Sequence, residues 1–369
     1  LKIIELLIPY IELLISIISL GLGILCYLKF DKNIILRKFL MMFFGLLTIG
    51  CLTPFLDKYV PLSQLIMNEI LVFAVLAMSL DILMGYTGLA SLGHAAYFGV
   101  SSYACAIVMT KTSWVTSFAA YTWAQNNGLG IIYLLVIAIV VALFFAAFFG
   151  LLAIRATDVY FLMITLSLAM VVWGLAYRWS AVTEGDNGIN VPGRPSLFGI
   201  NLDNDYNFYF FTLAVFLICF SIMYLFVNSP FGKSLVGIRE SEERMKMLGY
   251  NTWLHKYIAF IVAGIFSGIA GFLWTLFNLF VSPPDLELIT SAEALFMVAL
   301  GGPATLLGPF IGASIIKILQ QFVSIYVERW PLILGAIYIM TIMISRLYKV
   351  EGILGIFSKI RNSSKEMEK

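Results

Sequence analysis

The chain has 369 residues, of which 61% are hydrophobic and 12% charged, with a net charge of +2. A soluble core cannot absorb that apolar surface, so the composition excludes an ordinary globular domain and places the chain in a bilayer. The absence of a basic block gives nothing for nucleic acid to bind.

About 20 apolar residues cross a ~30 Å hydrocarbon layer. Runs of that kind predict spans near residues 3–28, 36–53, 64–84, 90–110, 130–154, 159–178, 208–228, 257–280, 289–301, 304–327 and 331–347. The shorter ones read as half-helices or re-entrant segments, which leaves about ten crossings. Glu5 and Glu12 interrupt the first run, which reads as an ordinary first span rather than a cleaved signal peptide. No barrel-like alternation is present, so the expected fold is all-α, a polytopic integral membrane protein with broken or re-entrant segments. Residues 1–62 read as N-terminal membrane helices, 63–347 as the main transmembrane domain and 348–369 as a cytoplasmic tail.

Lys and Arg assign the sides. Residues 229–256 carry Lys233, Arg239, Arg244, Lys246 and Lys256, and the tail from Arg346 is also basic. The loop 179–207 carries Glu184, Asp186, Asp203 and Asp205 against Arg194. The first loop is therefore cytoplasmic and the second external, with the C-terminus inside and the N-terminus outside.

Two segments depart from plain spans. "GYTGLASLGHAAYFGVSSY" (Gly85 to Tyr103) is rich in small residues, which suit close helix packing or a helix broken at a cavity. It holds Ser91, Gly93, His94 and Tyr97; a membrane histidine is either a functional group or one hydrogen-bonded between helices for packing. "MVALGGPATLLGPFIGASII" (Met297 to Ile316) is interrupted at Gly301, Gly302, Pro303, Gly308 and Pro309, which predicts a helix hairpin or two half-helices. Paired broken helices recur along solute paths, and also as simple turns. Asp81, near the end of a span, is a path carboxylate or a wetted interfacial residue. Charge inside the spans is otherwise scarce.

The cysteines Cys26, Cys51, Cys105 and Cys219 are scattered singly, and with two histidines the chain offers neither a disulfide framework nor a metal site. No cofactor is expected. "FGKS" at 231–234 lacks the first glycine of a phosphate-binding loop, because Val227 stands there. An enzyme built on Ser91 and His94 would lack a carboxylate to orient the histidine, so no catalytic residue is assigned.

Within Ser229 to Tyr250, Leu235, Ile238, Met245 and Leu248 fall roughly on one helical face. Pro230 can begin this helix and Gly249 end it. Its apolar stripe suits docking into a partner's groove, or packing on the protein or the lipid headgroups.

This stretch resembles the coupling loop of the branched-chain amino acid ABC importer permeases, "SPFGRALRAIRENExxAxxLG", through Ser229, Pro230, Phe231, Gly232, Arg239, Glu240, Glu243 and Gly249. Gly85 to Tyr103 is similar to that family's "GYAGxxSLGHAAFFGxGAY", Thr183 to Ile189 to "TGGxDGL", and Leu300 to Ala313 to "LGGxGTLxGPxxGA". The order and the long acidic loop resemble the M type of the paired permeases more than the H type.

The resemblance implies a non-enzymatic subunit of the bacterial inner membrane. Its partners would be a second homologous permease, two cytoplasmic ABC ATPases, an extracellular or periplasmic solute-binding protein and membrane lipid. It assigns ATPase coupling to Pro230, Phe231, Gly232, Arg239, Glu240, Glu243 and Gly249. The path would run past Asp81, Ser91, Gly93, His94, Tyr97, Gly302 and Pro303, and Glu184, Asp186 and Gly188 would lie at the outer mouth. Departures are Asp81 for Asn, Glu184 for Gly, Ser101 and Ser102 for Gly-Ala, and Ala304 for Gly after Pro303. They leave open a urea or short-amide permease of the same family. An ion-coupled transporter using Asp81 and His94 is the competing class, weakened by the scarcity of other buried charge.

Overall fold

The computed structural model describes residues 16–21, 23, 34–57, 63–110, 125, 128–326, 332–333, 335–340 and 343. Most of the expected span at 3–28, part of that at 331–347, and the whole tail lie outside the described residues. Among those described, seven helices are long and apolar enough to cross a membrane. The long helices are α1 (Ile34–Asp57), α2 (Ser63–Asp81), α3 (His94–Thr110), α4 (Gly130–Ala153), α5 (Asp158–Arg178) and α6 (Asp205–Asn228). Next come the short α7 (Pro230–Glu240) and α8 (Glu242–Met247), then α9 (Thr252–Asn278), α10 (Leu288–Gly301) and α11 (Leu307–Tyr326). Helix is the only option for most of this chain, since its backbone must satisfy itself in hydrocarbon.

Helix α2 forms the axis of the bundle, with nearly every residue from Met67 to Asp81 buried. It packs against α1, α6, α9, α10 and α11. Helices α4 and α5 are peripheral and expose Val140, Phe144, Phe148, Val159, Tyr160 and Val171, an apolar face suited to lipid.

Inside, α9 is pressed against α3 and α4. A side chain at Gly271 would collide with the carbonyl of Phe98, and one at Gly264 or Gly268 with Ala146 or Ala142 of α4. Small residues here let the backbones approach. Hydrogen bonds then cross the gap: the Ser101 hydroxyl donates to the Ala138 carbonyl (3.1 Å), Ser102 to Gly271 (2.8 Å) and Thr275 to Ser102 (3.2 Å). Such bonds average about 0.6 kcal/mol in a membrane protein. The Ser-Ser pair, noted above as a departure, thus serves helix packing.

Two expected elements differ. The span expected over 90–110 begins at His94, because 88–93 is not helical. Helix α2 ends in a π-turn, Ile82–Thr87, closed by Gly88 at φ +77°. The single helix expected between Pro230 and Gly249 is instead two, broken at Ser241, whose backbone is extended and whose hydroxyl accepts from the Arg244 N–H in α8. Serine competes with the helix for its own backbone bonds and so favours such a cap.

Outside the helices, β1 (Ile189–Asn190) pairs antiparallel with β2 (Phe280–Val281). Arg194 ties this loop down. Its guanidinium donates to the carbonyls of Leu276 (2.7 Å) and Phe277 (3.4 Å) at the end of α9, pairs with Asp205 at 2.8 Å and lies 4.1 Å over the Phe208 ring. Cations at a helix C-terminus complement its carbonyl dipoles.

Candidate functional site

The functional candidates fall into four groups, of which two meet. Asp81 is fully buried, which removes the wetted alternative. Its carboxylate accepts from the backbone N–H of Ala304 (2.7 Å) and of Leu306 (3.3 Å). Those residues form the break between α10 and α11, so the expected hairpin exists and Asp81 holds its turn. Thr305 stitches the same turn, donating to the Gly302 carbonyl (2.8 Å) and accepting from the Gly308 N–H (3.0 Å). Gly302 caps α10 at φ +112°, and Pro303, which follows it, cannot continue the helix.

The π-turn sits against this break. A side chain at Gly85 would collide with the Asp81 carboxylate and the Ala304 backbone, so glycine is required there. The Gly85 carbonyl in turn accepts a hydrogen bond from the Arg239 guanidinium of α7. The guanidinium of Arg239 thus reaches back to the membrane bundle, although the residue is itself exposed.

Ala304 adopts φ +61°, a left-handed conformation that costs an L-residue about 1–2 kcal/mol. Ala304→Gly keeps the N–H that Asp81 binds and removes that strain. We expect it to raise stability by about 1 kcal/mol, seen as a higher thermal midpoint in detergent; an unchanged or lower midpoint would count against it.

The rest of the 229–256 segment is split between core and surface. Pro230 opens α7 behind the Ser229 cap, which accepts from the Gly232 N–H at 3.2 Å. Gly232 abuts the carbonyl of Val227, and Phe231 stacks on His255 with ring centroids 5.0 Å apart. Leu235 and Ile238 are buried against the protein's own helices, while Met247 (85% exposed) and Leu248 (71%) face outward. The expected single apolar stripe is therefore kept only in part: across the break at Ser241, Met245 folds back against Gly237 of α7, while Leu248 faces outward. Glu240 and Glu243 are exposed, and Gly249 ends the segment at φ +87°.

Glu242, which the sequence reading passed over, fastens α8 to α9. It pairs with Lys256 at 2.5 Å and Lys246 at 3.0 Å and accepts from Thr252 at 3.0 Å. Burial pushes its carboxyl up, but the bonds from Lys256, Lys246 and Thr252 outweigh this and pull it down to about 2.

A third group surrounds the start of α3. The Leu92 N–H donates to Thr165 of α5 (3.3 Å), and the Ala95 N–H to Ser291 of α10 (2.9 Å). Ser91 accepts from the Gly93 N–H at 3.2 Å, and Gly93 lies against the Thr165 carbonyl. His94 is fully buried, and its own carbonyl accepts from Ser267 of α9. Among the described residues neither ring nitrogen of His94 nor the Tyr97 hydroxyl has a hydrogen-bond partner. The two rings meet edge to face at 5.9 Å. Each buried unpaired polar group costs about 1–3 kcal/mol. Asp81 and His94 are not paired with one another.

Glu184, Asp186 and Gly188 form the fourth group. Glu184, at φ +61°, and Asp186 are exposed. Gly188 is buried at φ +67°, where a side chain would meet the Val281 carbonyl at 2.6 Å.

One set escaped the sequence reading altogether. Lys317 of α11 is paired with Glu69 of α2 (3.0 Å) and Glu293 of α10 (3.3 Å). Buried charge is therefore not scarce outside Asp81 and His94. A charged residue inside each expected span was the available signal.

Residues 64–345 match the family described as branched-chain amino acid transport system / permease component. The high-affinity branched-chain amino acid transport system permease protein LivM of Salmonella typhimurium is 23% identical over 350 residues, 88% of this chain and 76% of that protein. The Escherichia coli protein of the same name is 24% identical over 310 residues, 77% and 68% of the two chains. A probable branched-chain amino acid transport permease protein LivM of Methanocaldococcus jannaschii is 23% identical over 281 residues, 69% and 79%. No solved structure matches. With its apolar spanning helices, this makes the protein a multi-pass inner-membrane transport permease rather than an enzyme. The chain belongs to the branched-chain amino acid transport system permease family.

Proposed function

We propose that this chain is the membrane subunit of an ATP-driven ABC importer for branched-chain or related hydrophobic amino acids. It works with a second homologous permease, two cytoplasmic ABC ATPases and an external solute-binding protein. The observation that carries this reading is the junction at the inner end of the bundle. There α7 is hydrogen-bonded through Arg239 to the turn that ends α2, and Asp81 of that helix holds the break between α10 and α11. A push on the cytoplasmic segment reaches a broken-helix hairpin through two polar contacts, which is the connection an ATPase needs to alternate a membrane path. Exposed Met247, Leu248, Tyr250, Trp253 and Leu254 give that ATPase an apolar surface beside the exposed Glu240 and Glu243.

The test is uptake into proteoliposomes. Leucine, isoleucine or valine should accumulate only with ATP, both permeases, the ATPases and the binding protein present. Uptake by this chain alone under a proton gradient would sink the reading, and ATP-driven uptake of urea in place of amino acids would overturn the substrate.

A further inference from the structure

The cluster around Lys317 is a membrane-embedded arrangement that the junction above does not use. Lys317 lies near the middle of α11, about 15 Å from either end of the helix. Its side chain is 3% exposed, and its ammonium is surrounded by acceptors. Glu69 stands at 3.0 Å, Gln320 at 3.2 Å and Glu293 at 3.3 Å, and the ammonium lies over the face of Phe73, 3.5 Å from the ring centroid. Two carboxylates thus face one ammonium, which leaves one formal negative charge in excess. The carboxylates are also the more accessible members, at 24% and 18% against 3% for the lysine.

An excess charge inside a membrane protein is costly unless something compensates it. Two carboxylates offer about eight acceptor sites, more than the three donors of one ammonium can fill. A further polar group lies beside the helix that carries Glu293. Tyr338 is buried with its hydroxyl unpartnered among the described residues. It lies within electrostatic reach of Glu293 and stacks on Phe296 of the same helix at 3.9 Å. Carboxylates, an amide oxygen, a phenolic hydroxyl and an aromatic face are the groups that receive a primary ammonium. Lys317 already occupies part of that lining as a tethered ammonium.

We propose that Glu69, Glu293 and Tyr338 form a subsite for a second cation, the primary ammonium of the zwitterionic amino acid in transit. Its apolar side chain would be left to the surrounding hydrophobic residues. The inference rests on the reading that the substrate is an amino acid. The chemistry shared with other sources is that of a monovalent cation, and a free inorganic cation is the alternative source.

The test uses the assembled permease and ATPase complex without the solute-binding protein, and reads its thermal midpoint. Leucine and isopentylamine should each raise the midpoint by a few degrees. Neither 4-methylpentanoate, which has the same apolar chain and carboxylate without the ammonium, nor sodium chloride measured against choline chloride should do so. Glu293→Gln should abolish the shift and lower ATP-driven leucine uptake at least tenfold while basal ATP hydrolysis continues. Equal shifts with 4-methylpentanoate, no shift with either amine, or a full shift with sodium alone would overturn the proposal. If the variant does not assemble, the unmodified complex and the four ligands still decide. Failure of the whole complex to import any amino acid would remove the function proposed above, and the isopentylamine shift would still report on this site. Import of leucine at an unchanged rate by Glu293→Gln would remove this site alone.

Discussion

Replacing Asp81 with alanine is expected to stop transport and to destabilise the protein. The substitution leaves the N–H groups of Ala304 and Leu306 without their acceptor. A buried unsatisfied donor costs about 1–3 kcal/mol, so the pair costs about 2–6 kcal/mol. Asp81→Asn retains one acceptor oxygen and leaves one of the two N–H groups unsatisfied, so it should lose about half as much, about 1–3 kcal/mol. The thermal midpoint in detergent separates the two, and ATP-driven uptake should follow the same order. If Asp81 carried a coupling proton, Asn would fail as completely as Ala, and that outcome would reject the positioning role.

A second large effect is expected at Arg239. Arg239→Ala removes the bond to the Gly85 carbonyl and so disconnects α7 from the end of α2. The complex should still assemble and hydrolyse ATP, while uptake per ATP falls roughly tenfold or more, equivalent to about 1.4 kcal/mol or more of lost coupling. Arg239→Lys keeps a cationic donor on a different stem and should recover part of it. Glu243→Arg, on the exposed side of the break, should instead weaken ATPase docking with the bundle intact. Uptake and hydrolysis falling together in Arg239→Ala would mean that its role is docking.

The parts of the fold that rest on one-dimensional signals were legible. Apolar runs located α2, α4, α5, α6 and α9 within a few residues, because hydrocarbon leaves helix as the only choice. The interruption around Gly302 and Pro303 located the hairpin turn for the same kind of reason. Contacts between distant segments were not legible. That Asp81 grips residues 223 and 225 positions away follows from tertiary packing, which no local pattern encodes. Ser241 is a serine among charged residues whose capping role emerges only once its backbone is extended. Glu69, Glu293 and Lys317 were each visible within an apolar run, and their convergence was not. Two of the departures from the family pattern, Glu184 and Ala304, occupy left-handed conformations where glycine carries no strain.

Helix α9 carries ionic or dipolar fastenings near both ends. Lys256 and Thr252 hold Glu242 at its N-terminal end, while Arg194 caps the Leu276 and Phe277 carbonyls at its C-terminal one. The helix is 27 residues long and has no proline within it. It is therefore a rod about 40 Å long, and a tilt of about 5° at one end moves the other by roughly 3.5 Å. That displacement exceeds the width of a water molecule. Such a rod would carry a small rotation at its Glu242 end to the loop held by Arg194 at the other as a change in aperture, with no bending of the helix itself.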